Sequence, residues 1–216
     1  VDRKSPYRLP VLSNTFENKV FQRIVVARAF DEKKMRLTIF TDHASKKYKQ
    51  LQAHPECALL FWDARKKMQI QVNGKANFVD QTDSYWNKLS DRQKSEYSIN
   101  PISGTNIASA KGYDYDSKEA RFAVLIIQFL NLDILVLDSE GHKRAGCLLE
   151  KDRREDCWMS PLLKGHHSNT LFSSDIVNFD FCFKNFTSHS VYFDFKFMTF
   201  IFNINIKFVR WIVIFH

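Results

Sequence analysis

The stretch Arg23–Leu51, RIVVARAFDEKKMRLTIFTDHASKKYKQL, carries the most information about the fold. Its first part, Arg23–Phe30, is apolar and β-branched between two arginines and predicts a strand. The charged residues Asp31–Lys34 predict a turn, and Met35–Thr41 alternates as a second strand does. The polar loop Thr41–Lys47 then runs into a helical pattern, so the stretch predicts strand, turn, strand, loop and helix.

The loop at the end of this stretch suggests an anion site. Ser45, Lys46 and Lys47 place a hydroxyl and two ammonium groups at the start of the helix. The free amides and the dipole of a helix N-terminus also favour an anion, so a phosphate could bind there. The alternative interpretation is an ordinary hairpin followed by a solvated basic helix.

The composition is that of a globular domain with an anionic partner. The 216 residues are 44% hydrophobic and 26% charged, and the net charge is +8. The basic residues are spread along the chain, which favours a pocket or local patch over a long nucleic-acid track. A nucleic-acid-binding barrel remains an alternative, but aromatic residues such as Phe61 and Phe122 lie at predicted core positions.

The four cysteines indicate neither a metal site nor a disulfide framework. Cys57, Cys147, Cys157 and Cys182 show no CxxC spacing, so no metal is expected and a reducing cytoplasm is the expected location. The first ten residues, VDRKSPYRLP, contain no apolar run, so neither a signal peptide nor a membrane anchor is expected there.

The rest of the pattern is mainly that of short strands. Further strands are predicted over Glu56–Asp63, Met68–Val79, Arg121–Phe129, Asp133–Asp138 and Lys143–Leu149, with a bulge or turn at Asn73-Gly74. Helical patterns cover Ser45–His54 and Thr82–Tyr97, and Asn100–Tyr115 is expected to be a loop. Short strands joined largely by hairpins predict a mainly β (α+β) fold, an antiparallel barrel with flanking helices.

Changes in composition divide the chain into three parts. Residues 1–19 are expected to form an N-terminal arm, with 1–14 extended, and residues 20–161 the barrel domain. Residues 162–216 are rich in Phe, Ile and Asn, and they contain no proline and no glycine after Gly165. We therefore expect them to be foreign to the domain.

Seven segments in order resemble the pyridoxamine 5'-phosphate oxidase-like family of FMN-binding split barrels. They are RIVVAR (23–28), FTDHASKK (40–47), LLFW (59–62), QIQVNG (69–74), PISGT (101–105), FAV (122–124) and GHKRA (141–145). The resemblance implies an antiparallel split β-barrel, bound FMN and a homodimer whose site is shared between subunits. It leaves open whether a deazaflavin or haem replaces FMN.

The resemblance also implies roles for individual residues. The FMN phosphate would be held by Arg23, Ser45, Lys46 and Lys47. The flavin would be lined by Val25, Val26, Phe40 and Thr41. Gln69 would form a hydrogen bond with the edge of the flavin ring. Arg28, His142 and Arg144 would contact the substrate or the second subunit. Gly141–Arg144 contains no Arg-x-His, which departs from the vitamin B6 oxidase itself.

The expected function is that of an FMN-dependent oxidoreductase acting on a small anionic substrate. No acid, base or nucleophile stands out in the motifs, so no catalytic side chain is named. The alternative is a non-catalytic flavin-binding module, such as a stress or sensor protein, because the same phosphate site would serve either function.

Overall fold

The structure, a computed structural model, describes residues 1–115, 120–150 and 153–160. The strands are β1 (Val11–Phe16), β2 (Lys19–Ile24), β3 (Ala27–Asp31), β4 (Arg36–Asp42), β5 (Glu56–Asp63), β6 (Met68–Phe78), β7 (Ile99–Asn100), β8 (Asp114–Tyr115), β9 (Phe122–Val136), β10 (Lys143–Glu150) and β11 (Arg153–Met159). The helices are α1 (Lys46–Ala53), α2 (Asp83–Trp86) and α3 (Asp91–Ser95). The tail predicted over residues 162–216 lies outside the described residues.

The strands form one large antiparallel sheet and a small ribbon of β7 and β8. The order in the sheet is β11-β10-β9-β6-β5-β1-β2, and β4 joins β9 on a separate branch that ends in β3. All the described strand pairs are antiparallel. The predicted fold class, a mainly antiparallel β structure with flanking helices, is therefore confirmed. Within the described residues, no helix has the length and apolar character to cross a membrane.

Strand β9 is the centre of the sheet because it pairs with three other strands. Its first half lies between β4 and the end of β6, and its second half lies between the start of β6 and β10. The sequence had predicted two strands here, Arg121–Phe129 and Asp133–Asp138. The structure has one continuous strand because no glycine or proline interrupts the segment and Asn131 keeps its partners, Asn73 and Leu148.

The N-terminal segment and the first predicted strand also differ from expectation. Part of the predicted extended arm forms β1, which pairs with β2 on one side and with β5 on the other. The strand predicted over Arg23–Phe30 is split between β2 and β3. Between them the chain leaves the ladder at Val25, whose amide donates to the carbonyl of Pro10 at 3.0 Å. A run of apolar residues cannot reveal such a change of partner.

The bulge predicted at Asn73-Gly74 is present, and it requires the glycine. The register between β6 and β9 shifts between these two residues. A Cβ atom on Gly74 would lie 2.7 Å from the carbonyl oxygen of Gln128 and 2.8 Å from Cγ2 of Ile127. The backbones approach here more closely than any side chain allows.

The helical pattern predicted over Thr82–Tyr97 forms two short helices instead of one. Ser90 begins α3 with a capping box, in which its hydroxyl accepts from the amide of Gln93 while the Gln93 side chain accepts from the amide of Ser90. This local bonding starts a new helix inside the segment. Tyr85 and Trp86 of α2 pack against aromatic residues of β4 and β9. The ring centroids of Tyr85 and Phe40 lie 5.9 Å apart, and those of Trp86 and Phe122 lie 5.2 Å apart.

Candidate functional site

Arg23 reaches from β2 into the space between the sheet and α1. Its row in the sheet continues through Leu12 and Leu59, both buried, so its side chain lies on the core face. Nη2 of Arg23 donates to Oε1 of Gln50 at 2.9 Å, and Nη1 donates to Oδ1 of Asn14. Both acceptors are neutral amides, which orient the guanidinium but leave its charge uncompensated.

Lys47 lies in the first turn of α1, and a chain of hydroxyl groups fixes its ammonium. Nζ of Lys47 donates to Oγ1 of Thr41 at 3.1 Å, and that oxygen lies 3.3 Å from Oγ of Ser45. Oγ of Ser45 in turn donates to the carbonyl of Asp42 at 2.6 Å. Arg23, Thr41, Ser45 and Lys47 are called the Arg23–Lys47 cradle below.

Asp42 is the acid nearest to this cradle, and it is committed elsewhere. One oxygen of Asp42 accepts from the amide of Ala44 at 2.7 Å, and the other accepts from Nε of Arg121 at 3.2 Å. In the described part of the chain, neither Arg23 nor Lys47 forms an ion pair with a carboxylate. Within residues 1–115, 120–150 and 153–160, the two cations therefore lie together without an ion-pair partner.

The electrostatics of the cradle favour an incoming anion. Burial lowers the pKa of Arg23. Burial, and after it the positive charge of Arg23, lowers the pKa of Lys47, while the carboxylate of Asp42 acts in the opposite direction. The amides of Tyr48 and Lys49 donate to the carbonyl of Ser45, whereas those of Lys46 and Lys47 at the start of α1 have no acceptor within the helix and add partial positive charge. An anion with several oxygens would satisfy these groups together.

The other residues predicted to hold the phosphate or line the flavin differ in burial and in the face of the sheet on which they lie. Lys46 is exposed and points toward the long loop, where a Cβ on Gly104 would lie 3.9 Å from its Cε. Val25 is buried in the core and Val26 is half-buried. Phe40 and Thr41 are neighbours in β4 and lie on opposite faces. Phe40 packs on the outer side and Thr41 faces the cradle.

Gln69 lies on the face of the sheet opposite to Arg23. The register pairs Gln69 with Trp62 on one side and with Leu135 on the other, and Leu135 with Arg144. The row that contains Arg23 passes instead through positions of β6 that face the core. The sheet therefore separates Gln69 from the cradle of the same chain.

Three residues were predicted to contact a substrate or a second subunit. Arg28 lies with its Cζ 5.3 Å from the ring centroid of Phe40, and its buried Nε has no hydrogen-bond partner in the described residues. Arg144 donates from Nε to Oδ1 of Asp133 at 2.9 Å. His142 accepts the amide of Asp138 on Nδ1 at 3.2 Å. The last two side chains are thus engaged within the hairpin of β9 and β10.

Asn14 and Gln50 are parts of the site that the sequence did not reveal. Both are buried polar residues that accept hydrogen bonds from Arg23. Gln50 lies one turn after Lys47 on α1, which is a weak signal that the two share a face. Asn14 belongs to a segment predicted as an arm, so its role depends on the pairing of β1.

Comparison with known proteins finds a family whose model matches half of this chain. The family model described as Pyridoxamine 5'-phosphate oxidase matches residues 20–129, half of the chain. Two proteins named pyridoxine/pyridoxamine 5'-phosphate oxidase, from Trichormus variabilis and a Nostoc species, are each 28% identical over 79 residues. The match covers 37% of this chain and only 36% of the length of each relative.

Solved structures share the architecture over a longer span. A pyridoxamine 5'-phosphate oxidase-related, FMN binding protein from Nostoc punctiforme has a TM-score of 0.63 and 19% identity, covering 72% of this chain and 89% of its own. PhzG from Burkholderia lata, solved with tetrahydrophenazine-1-carboxylic acid, has a TM-score of 0.60 and 14% identity, covering 72% and 83%. The expected split-barrel fold is therefore confirmed.

Proposed function

The chain belongs to the pyridoxamine 5'-phosphate oxidase family, and we propose that it binds FMN and acts as an oxidoreductase on a small anionic substrate. The observation that carries this proposal is the Arg23–Lys47 cradle, in which two cations lie together and neither forms an ion pair with a carboxylate of the described residues. A phosphate dianion matches this charge and can accept from the guanidinium, the ammonium and the amides at the start of α1.

The residues of the cradle would each hold the phosphate in a different way. Arg23 offers a planar set of donors that Asn14 and Gln50 already orient. Lys47 adds a positive charge, and its hydrogen bond to Thr41 fixes the position of the ammonium group. FMN, when bound, supplies the hydride and electron chemistry, and the protein positions it and tunes its ring through hydrogen bonds. FMN binding by the solved Nostoc punctiforme relative, stated in its description, agrees with this assignment.

A small anionic substrate is supported by Arg28. Its guanidinium lies over Phe40, and the buried Nε has no hydrogen-bond partner in the described part of the chain. A buried donor without an acceptor is costly, and an anionic group on a substrate would satisfy it. Arg28 would then bind and orient the substrate beside an aromatic surface.

We also propose that the protein works as a homodimer. A flavin held by the cradle of one chain could meet Gln69 only from a second copy, because the sheet separates these residues within one chain. The face that carries Gln69 also exposes apolar side chains, with Trp62 47% and Ile24 67% exposed. Trp62→Asp should yield a monomer with weakened FMN binding, whereas Ile107→Asp in the exposed loop should leave a dimer. Light scattering after size-exclusion chromatography measures both.

The central experiment is a titration of flavin-free protein with FMN and with riboflavin, followed by flavin fluorescence. FMN should bind much more tightly than riboflavin, because only FMN carries the phosphate. Equal affinities for FMN and riboflavin would show that the cradle does not bind the phosphate. Absence of FMN binding would overturn the proposal. Reduction of the bound flavin by a candidate substrate, followed by reoxidation with oxygen, then separates an oxidoreductase from a flavin-binding module without turnover.

A further inference from the structure

A cleft lies beside the cradle, and none of the residues that line it was assigned a role above, although His43 and Phe122 belong to two of the seven family segments. Its volume is ≈ 300 Å³, and it lies between the loop before α1, the end of β6 and the start of β9. Lys47 and Tyr48 are consecutive in α1 but point to different places, Lys47 toward Thr41 and Tyr48 into this cleft. Its size is at the lower end of that of small-molecule sites, which is roughly 300 Å³ and above.

Aromatic rings form much of the wall of this cleft. The ring centroids of Tyr48 and Phe78 lie 4.3 Å apart with planes inclined at 49°. Phe122 contributes a further ring and is itself held by Tyr97, at a centroid distance of 5.0 Å. Ring faces carry negative electrostatic potential, so they attract a cation as well as an apolar group.

The polar side chains in the wall form no hydrogen bonds or ion pairs within the described residues, although the rings of His43 and Tyr48 contact each other. They are the carboxylate of Asp80, the imidazole of His43 and the hydroxyls of Tyr48 and Thr82, and none forms a side-chain hydrogen bond or ion pair. By contrast, Asp42 is paired with an arginine. Asp80 thus presents an uncompensated negative charge at the cleft, next to the aromatic rings.

We propose that this cleft, named here the Asp80 cleft, binds a small organic cation in which a short aliphatic link joins an ammonium group to an aromatic ring. The ammonium would bond the carboxylate of Asp80, and the ring would pack against Tyr48, Phe78 and Phe122. An aromatic anion of the same size would be repelled by Asp80. The proposal concerns a site of opposite charge preference to the cradle and does not depend on flavin binding.

Benzylamine, benzyl alcohol and benzoate test this preference, because at neutral pH they carry a positive charge, no charge and a negative charge on the same ring. The full-length protein is titrated with each compound, and the backbone amide signals of His43, Val79 and Asp80 are followed by NMR. Benzylamine should bind on the order of ten-fold more tightly than benzyl alcohol, as a charged hydrogen bond predicts. Benzoate should bind more weakly than either.

Asp80→Asn removes the charge and keeps the shape, and Asp83→Asn is the matched control because Asp83 is exposed and does not line the cleft. Asp80→Asn should bring the affinity for benzylamine down to that for benzyl alcohol, and Asp83→Asn should leave it unchanged. If Asp80→Asn does not fold, the comparison of the three compounds on the unaltered protein still tests the proposal. Equal binding of benzoate and benzylamine, or an unchanged affinity in Asp80→Asn, would overturn the proposal.

Discussion

Arg23 lies close enough to Lys47 for its positive charge to lower the pKa of the lysine, although the two residues come from different elements. Asp42 could have compensated them, but it is bonded to Arg121 at 3.2 Å. Holding two cations together without a counter-ion costs free energy in the protein without ligand. An anion that binds between them recovers this free energy, which is why we regard the pair as a binding device.

Removing both charges should abolish tight FMN binding. Each charged hydrogen bond contributes about 1.5–3 kcal/mol, so the double variant Arg23→Ala, Lys47→Ala should lose several kcal/mol of FMN binding free energy. Riboflavin, which lacks the phosphate, should lose much less. Fluorescence titration with the two flavins measures the difference.

Two lysines in the same helix serve as controls for this variant. Lys49→Ala removes an exposed charge from α1 and should leave FMN affinity almost unchanged. Lys46→Ala should have a smaller effect than Lys47→Ala, because Lys46 is exposed and Lys47 is held by Thr41. A double variant at Arg23 and Lys47 that retains FMN like the parent would refute the assignment of the cradle.

The lowered pKa of Lys47 predicts that FMN binding weakens at alkaline pH. Burial and the charge of Arg23 favour the neutral amine, so the proton leaves below the ordinary lysine value of about 10.4. Affinity should therefore fall as the pH rises through the pKa of Lys47 in the free protein. The stability of the free protein should depend on pH in the opposite direction to the affinity for FMN. It should increase with pH over this window, because the unfolded chain then binds more protons.

Lys47→Arg is the control for this pH dependence, because a guanidinium stays charged throughout the window. The dissociation constant of FMN is measured over the alkaline range for both proteins, so titration of the ligand itself cancels in the comparison. An identical decline in Lys47→Arg would show that another group is responsible.

Gly74→Ala should destabilise the fold because the added methyl has no space. Its Cβ would lie 2.7 Å from the backbone oxygen of Gln128, so the two strands must move apart. Overpacking of this kind costs about 1–3 kcal/mol. Urea denaturation measures the loss, with the exposed Lys75→Ala next to it as the control. A midpoint equal to that of the parent would mean that the bulge can adjust.

Tyr7→Phe should destabilise the attachment of the N-terminal segment. The hydroxyl of Tyr7 donates to Oδ2 of Asp63 at 3.1 Å, and Asp63 is 1% exposed. Removing a donor from a buried carboxylate costs about 1–3 kcal/mol. Chemical denaturation of Tyr7→Phe and of the exposed control Tyr113→Phe measures the difference. Equal unfolding free energies in the two variants would argue against this contribution.

The sequence determined the features that depend on neighbouring residues. The alternation of Met35–Thr41 predicted β4, the helical pattern from Ser45 predicted α1, and Asn73-Gly74 predicted the bulge. Local backbone preferences and hydrophobic periodicity act over a few residues, so they can be seen in the chain itself. The basic residues of the loop before α1 likewise suggested an anion site before any geometry was known.

Only the tertiary structure decided which charges remain uncompensated. Asp42 and Arg121 are 79 residues apart, and because Asp42 pairs with Arg121, Lys47 forms no ion pair with any acid of the described residues. The contact of Arg23 with Gln50, and the separation of Gln69 from the cradle by the sheet, depend on which strands become neighbours. Electrostatic energy depends on distance in space, and strand pairing sets that distance between residues remote in the chain.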